Sequence, residues 1–201
     1  MSRHLPRARY GRSDRRRRER SRGVAVVEAA FAFPVVVLIT FAVIEFGLIY
    51  MTESTTVSSS QAGARLGAAT VPLEPTPADA YDAMRDEVVD TIDAMSSRGT
   101  PDQLWIYRAD ADGTPVGVAG FGNCNTDCRA YTWNGTTFAN PIGNWTNPDA
   151  CIAGGLDSVG VYITVRHDLV SGLLFESVDI EEHTTNQLEP LPTDQCPTPG
   201  P

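Results

Sequence analysis

Hydrophobic positions along the chain gather into one long block near the N-terminus. From Val24 to Met51 the strongly polar side chains are Glu28 and Glu45, with Thr40 and the Tyr50 hydroxyl as milder exceptions. A helix over that stretch is about 42 Å long, more than the roughly 30 Å hydrocarbon core of a bilayer, so it can cross a membrane. Pro34 removes one backbone hydrogen bond and predicts a kink, which membrane helices tolerate. Glu45 stands about 25 Å beyond Glu28, so each carboxylate can sit near one interface. The two lie some 100° apart around the helix axis, so no one partner faces both. Gly47 and the small residues after Met51 leave room for another helix to approach closely.

Beyond the block the periods change. Thr52 to Thr70 is small and polar, with weak intrinsic helix drive, and Val71-Pro72 through Pro75 ends any helix there. Thr76 as cap, Pro77 in the first turn and Asp79 in a capping-box position open a second helix. Tyr81, Met84, Val88, Ile92 and Met95 form its apolar face, and Gly99 and Pro101 supply the stop. Its other face carries Asp82, Asp86, Glu87, Asp90 and Asp93, which reads as a solvated acidic surface before a cation site.

Alternation marks three strands. Asp102 to Arg108 sets Leu104 and Ile106 opposite Trp105 and Tyr107. Ser158 to Arg166 places Val159, Val161, Ile163 and Val165 on one face. Phe175 to Thr184 turns Val178 and Ile180 inward and Asp179 and Glu181 outward, and the short link between these last two strands favours antiparallel pairing. Asp110 to Gly113 reads as a turn, since a calcium loop needs ligands that are missing downstream, and a return strand near Val116 to Ala119 is expected after it. Gly120 to Asp157, rich in Gly, Asn, Thr and Pro, reads as a long irregular surface excursion. The tail from Glu189 reads as extended and loosely held.

Charge sharpens this picture. Arg3 to Arg22 holds ten of the sixteen basic residues of the 201-residue chain, whose formal net charge is −9. Residues 24–201 carry six arginines against twenty-three acids, a net −17, which argues against a nucleic-acid partner for the body. The basic run reads as a disordered cytoplasmic topology signal, with a nucleic-acid or anionic-lipid arm and an export signal as rivals. No basic cluster follows Met51, so the N-terminus is expected inside and the body outside. There the four cysteines are expected as disulfides, with Cys124–Cys128 closing a small ring and Cys151–Cys196 pinning the tail preferred among three pairings. The rival, a structural zinc site, does not match their spacing. His167 and His183 read as solvent-exposed. With no catalytic, phosphate-binding or dinucleotide motif, the sequence predicts neither enzyme nor cofactor nor metal site.

Gly23 followed by a helix whose fifth residue is Glu28 resembles the processing site of type IV prepilins. The wider string of Arg22-Gly23, Val27-Glu28, Phe31, Pro34, Ile44-Glu45-Phe46-Gly47 and Ala62-Gly63-Ala64-Arg65 resembles the TadE-like family, the minor pseudopilins of the tight-adherence (Tad/Flp) pilus machinery. The resemblance covers residues 22 to about 70. It implies cleavage between Gly23 and Val24 by a prepilin peptidase, and pairing of the freed Val24 ammonium with Glu28 of a neighbouring subunit. It also implies that the helix continues outward through the Gly63-Ala64-Arg65 segment.

The expected protein is therefore α+β and pilin-like. A leader (1–23) precedes a membrane helix with its extension (24–70), then a small domain (76–188) holding a second amphipathic helix and a small antiparallel sheet, then a Pro-rich tail (189–201). Its expected partners are the membrane, the prepilin peptidase, other pseudopilins or pilins, and the assembly platform in the cytoplasmic membrane, with Glu28, Glu45 and Gly47 as helix contacts. The competing expectation is a permanently signal-anchored single-pass surface protein whose external domain binds a ligand or a protein.

Overall fold

The computed structural model describes residues 12–74, 76–94, 99–118, 120–172 and 175–196, with the backbone alone for 12–22 and 94. His4 and the rest of the leader's first eleven residues, Pro75, Met95, Ala119 and the last prolines of the tail lie outside these. The order is α1 (Arg12–Thr70), α2 (Pro77–Ala94), β1 (Gly99–Ala109), β2 (Cys128–Trp133), β3 (Phe138–Ile142), β4 (Ser158–Asp168) and β5 (Ser177–Gln187). The chain divides into two compact units, Met1–Phe46 and Gly47–Pro201.

The first unit is helix α1 up to Phe46. Residues 12–22, expected to be disordered, are helical. Arginine is a good helix former, and neither Gly nor Pro falls between Arg12 and Gly23 to stop propagation inward from the apolar block. Pro34 lies inside the helix. The helix is long and apolar enough to cross a membrane, and its apolar window is almost wholly uncovered by the rest of the chain.

The second unit is an α+β body. Its sheet has the order β3-β2-β1-β4-β5 with every neighbouring pair antiparallel. One face, with Leu104, Ile106, Val161, Ile163 and Tyr131, joins a core with Tyr81, Met84, Val88 and Ile92 of α2 and Ala64 and Ala68 of α1. The opposite face buries Trp105, Tyr107 and Tyr162 beneath Phe121, whose ring stacks on Tyr162 at 3.7 Å. A side chain at Gly160 would collide with the Tyr107 ring, which explains the glycine in the middle of β4.

In the body four further expectations differ from the structure. Gly99 and Pro101 do not simply stop α2. They begin β1, with Pro101 beside a register shift that spares the ladder its missing N–H. Near Val116 the described residues form an isolated Ala109–Pro115 bridge and a hydrogen bond from Val116 N–H to Arg108 O in place of a strand, because the edges of β1 are taken by β2 and β4. The supposed surface excursion contains β2 and β3 and sends Phe138 and Trp145 into the core, with Trp145 stacked on Tyr81 at 5.8 Å. The tail is held through Cys196: Glu189 N–H donates to Ala68 O, Leu191 N–H donates to Ala150 O, and Leu188 is buried. Thr76 caps α2 as its sequence predicts, its hydroxyl donating to Asp79 Oδ2 at 2.6 Å.

Candidate functional site

The candidate processing and helix-contact residues, Gly23, Val24, Glu28, Glu45 and Gly47, all lie on α1. In the first unit Gly23, Val24 and Glu28 are all exposed, so Glu28 can meet a second molecule. A Cβ at Gly23 would meet nothing within 4 Å. Glycine inside a helix is about 1 kcal/mol less favourable than alanine, so packing within the chain gives no reason for it at this position. Thr40 is reconciled with an apolar surrounding by donating its hydroxyl to Val36 O at 2.8 Å. Glu45 is buried, at 8 % exposure, whereas most of the apolar residues around it are exposed. In this it differs from Glu28, which is exposed.

In the second unit Gly47 also borders open space, and it leaves an uncrowded surface on the helix. From Thr52 onward α1 changes character. Thr52, Thr55, Thr56, Ser59, Ser60, Gly63, Ala64, Gly67 and Ala68 recur at helical spacing, and all of them are buried. Their hydroxyls are satisfied largely by the helix itself, Thr55 donating to Met51 O, Thr56 to Thr52 O and Ser59 to Thr56 O at 2.8–2.9 Å. Two also reach the sheet, Ser60 to the Thr184 hydroxyl and Thr52 to His167 Nδ1, both at 2.9 Å.

The glycines of this face are positions of close approach. A Cβ on Gly63 would lie 2.7 Å from Val88 Cγ2, and one on Gly67 would run into the Met84 side chain. The Gly63-Ala64-Arg65 segment is thus where α2 presses on α1, with Arg65 exposed beside it. Small residues let two helix backbones come together here, and the weak helix drive of the segment is offset by the packing it permits.

His167, expected to be exposed, is fully buried, and its Nε2 has no hydrogen-bond partner among the described residues. The parity of β4 carries the signal: 167 follows 159, 161, 163 and 165 on the inward face. His183 is exposed as expected.

The remaining candidates have structural roles. Both preferred disulfides form, Cys124–Cys128 and Cys151–Cys196, with Cα separations of 5.7 and 5.8 Å. Asp110 closes its turn by accepting hydrogen bonds from Thr114 N, Thr114 Oγ1 and Asp112 N. Those bonds, the Thr114 hydroxyl first, hold its carboxyl below the usual range. On α2, Arg85 bridges Asp82 and Asp86 at 3.1 and 2.8 Å, so part of the acidic face is internally compensated.

Compared with known proteins, residues 23–65 match the family model described as TadE-like protein. The match begins on the exposed Gly23 and ends on Arg65, at the close approach of α1 to α2. No curated protein and no solved structure matches the chain.

Proposed function

We propose, from the premise that residues 23–65 are TadE-like, that this chain is a structural minor pseudopilin supporting assembly of a Tad/Flp-type surface pilus. It is inserted as a single-pass precursor with its N-terminus in the cytoplasm and its α+β body outside. A prepilin peptidase cuts between Gly23 and Val24. The new ammonium of Val24 is neutralised by Glu28 of an adjacent subunit, since a carboxylate within lipid is tolerated when it is paired. Its partners are sister pseudopilins or pilins and the assembly platform in the cytoplasmic membrane, and its role is architectural, with no reaction catalysed.

One observation carries this reading: the family match covers the helix from Gly23 through the apolar stretch to Arg65, and within it Gly23 and Glu28 are exposed with no packing role. A signal-anchored binding protein needs neither residue. Replacing Glu28 with Leu separates the two readings. A pseudopilin loses co-purification with its pilin partners while its amount in the membrane holds. An anchored surface protein keeps both its amount and its partners, because removing a carboxylate from lipid relieves a penalty of roughly 2.5–3.5 kcal/mol.

A further inference from the structure

The turn joining β2 to β3 reads Asn134-Gly135-Thr136-Thr137, and Asn134-Gly135 is the one Asn-Gly pair in the sequence. The Asn134 side chain sets its shape. Oδ1 accepts hydrogen bonds from Thr136 N, Thr136 Oγ1 and Thr137 N, each at 3.0 Å, while Asn134 N donates to Thr137 O at 3.0 Å. The side-chain amide is thereby folded back over the backbone that follows it. Gly135 has φ of 102°, a conformation that glycine adopts without strain, and a Cβ there would meet nothing within 4 Å. Asn134, Gly135 and Thr136 are all exposed, so water reaches the pair.

The chemistry of such a pair is intramolecular. Three donors on Oδ1 draw electron density from Cγ and stabilise the charge that develops on that oxygen under attack. The nearest nucleophile in the chain is the Gly135 nitrogen, whose N–H has no acceptor among the described residues. Asp112-Gly113, the one Asp-Gly pair in the sequence, is capable of the same attack and makes a contrast. Asp112 is exposed too, but Gly113 N–H donates to Asp110 O at 3.1 Å, and Gly113 O accepts from the Tyr107 hydroxyl at 2.9 Å. Its nitrogen is occupied and its peptide plane is held from both sides.

We propose that Asn134 is a self-modification site of the folded chain, converted through a cyclic imide with Gly135 into aspartyl and isoaspartyl residues, and that the fold withholds this chemistry from Asp112. The Gly135 N–H gives its proton to solvent base and the nitrogen bonds to Asn134 Cγ. The Cγ–Nδ2 bond breaks and ammonia leaves with a proton from solvent. One water then opens the imide at either carbonyl, and no oxidant or reductant takes part. The aspartyl product keeps a side-chain oxygen for the Thr136 and Thr137 donors. The isoaspartyl product routes the main chain through Cγ and leaves the α-carboxylate pendant, which dismantles the turn beside the Trp133–Phe138 pair. Either product adds a negative charge to a body that is already acidic.

Uptake of heavy oxygen tests this, since imide hydrolysis fixes one solvent oxygen at either pair. The full-length detergent-solubilised chain is incubated in mildly alkaline buffer made with water enriched in the heavy isotope, folded or in urea, then digested in ordinary water and mapped by mass spectrometry. The peptide holding Asn134 should take up label in the folded chain at a rate close to that in urea. The peptide holding Asp112 should take up label in urea and at least roughly tenfold more slowly when folded, because its N–H must first be released. Asn134→Gln, which cannot close the five-membered ring, should abolish uptake at that position. Folded-state protection of Asn134 as strong as that of Asp112 would overturn the proposal, and so would equal folded-to-urea ratios near one at both pairs, since the turn's hydrogen bonds would then select neither.

Discussion

The Thr52 hydroxyl lies 2.9 Å from His167 Nδ1, and both residues are sealed from solvent. They are 115 positions apart in sequence, and their contact fixes the height of β4 along α1. The histidine's other nitrogen has no partner among the described residues, so the Thr52 hydroxyl is the hydrogen bond that the imidazole makes there.

Thr52→Val keeps the shape and deletes the hydroxyl. A buried polar group left without a partner costs about 1–3 kcal/mol, and that loss is expected in denaturant unfolding of the detergent-solubilised chain. Thr55→Val serves as the control, since its hydroxyl bonds back only to Met51 O. An equal loss for the two variants would remove any special role for the Thr52–His167 contact.

Gly67→Ala drives a methyl group into the Met84 side chain, and Gly63→Ala drives one toward Val88. Each is expected to destabilise the body by about 1–3 kcal/mol, the usual range for overpacking a filled core. Gly47→Ala, which meets open space, should leave the unfolding midpoint unchanged or raise it. If Gly47 is a contact for a partner helix, that same variant loses co-purification with the fold intact, and the two assays together separate packing from assembly.

The disulfides close loops of very different length, with sequence separations of 45 for Cys151–Cys196 and 4 for Cys124–Cys128. On the chain-entropy account the longer loop contributes about 4 kcal/mol and the shorter about 2 kcal/mol. Paired serine replacements at Cys151 and Cys196 should therefore lower stability more than those at Cys124 and Cys128. Unfolding curves showing the reverse order would mean that the tail is held chiefly by its hydrogen bonds to Ala68 and Ala150.

Four tyrosines of the body resist ionisation. Burial raises Tyr81, Tyr107 and Tyr131 well above the ordinary phenol value, and Tyr162 is pushed up to about 12, by burial first and then by the Glu181 carboxylate. A phenol ionises near pH 10 when unfolded. Above that value the unfolded chain binds fewer protons than the folded one, so this contribution to stability is intact below about pH 10 and falls as pH rises through 12. Tyrosinate absorbance should therefore rise late, together with loss of secondary structure. Ionisation of all tyrosines near pH 10 in a folded chain would contradict the burial.

Much of this architecture was legible in the residue pattern. The apolar block, the capped α2 and the strict alternation of β4 each follow from a period and a boundary residue. Strands β2 and β3 are not legible in the sequence because β3 contains Pro141 and an Asn140 with φ of 53°, and a register shift interrupts its pairing with β2. No clean alternation survives such irregularities. The small-residue face from Thr52 to Ala68 was present in the sequence at a helical period, but hydroxyl residues are ordinarily read as solvent-facing. Their burial became readable only once Gly63 and Gly67 had met Val88 and Met84. The cysteine pairing followed from separation and position alone. Of the candidate site residues, Glu28 and Gly23 stand exposed, while the burial of Glu45 is not visible in a helix that is apolar on every side.

The most direct test of the assembly reading is the N-terminal mass of the protein extracted from membranes of its own host. A chain beginning at Val24, with or without a methyl group on its amine, is the predicted result and places Glu28 five residues into the processed helix. A chain that keeps the arginine leader, in cells whose prepilin peptidase is active on its other substrates, would contradict the reading and leave a signal-anchored surface protein.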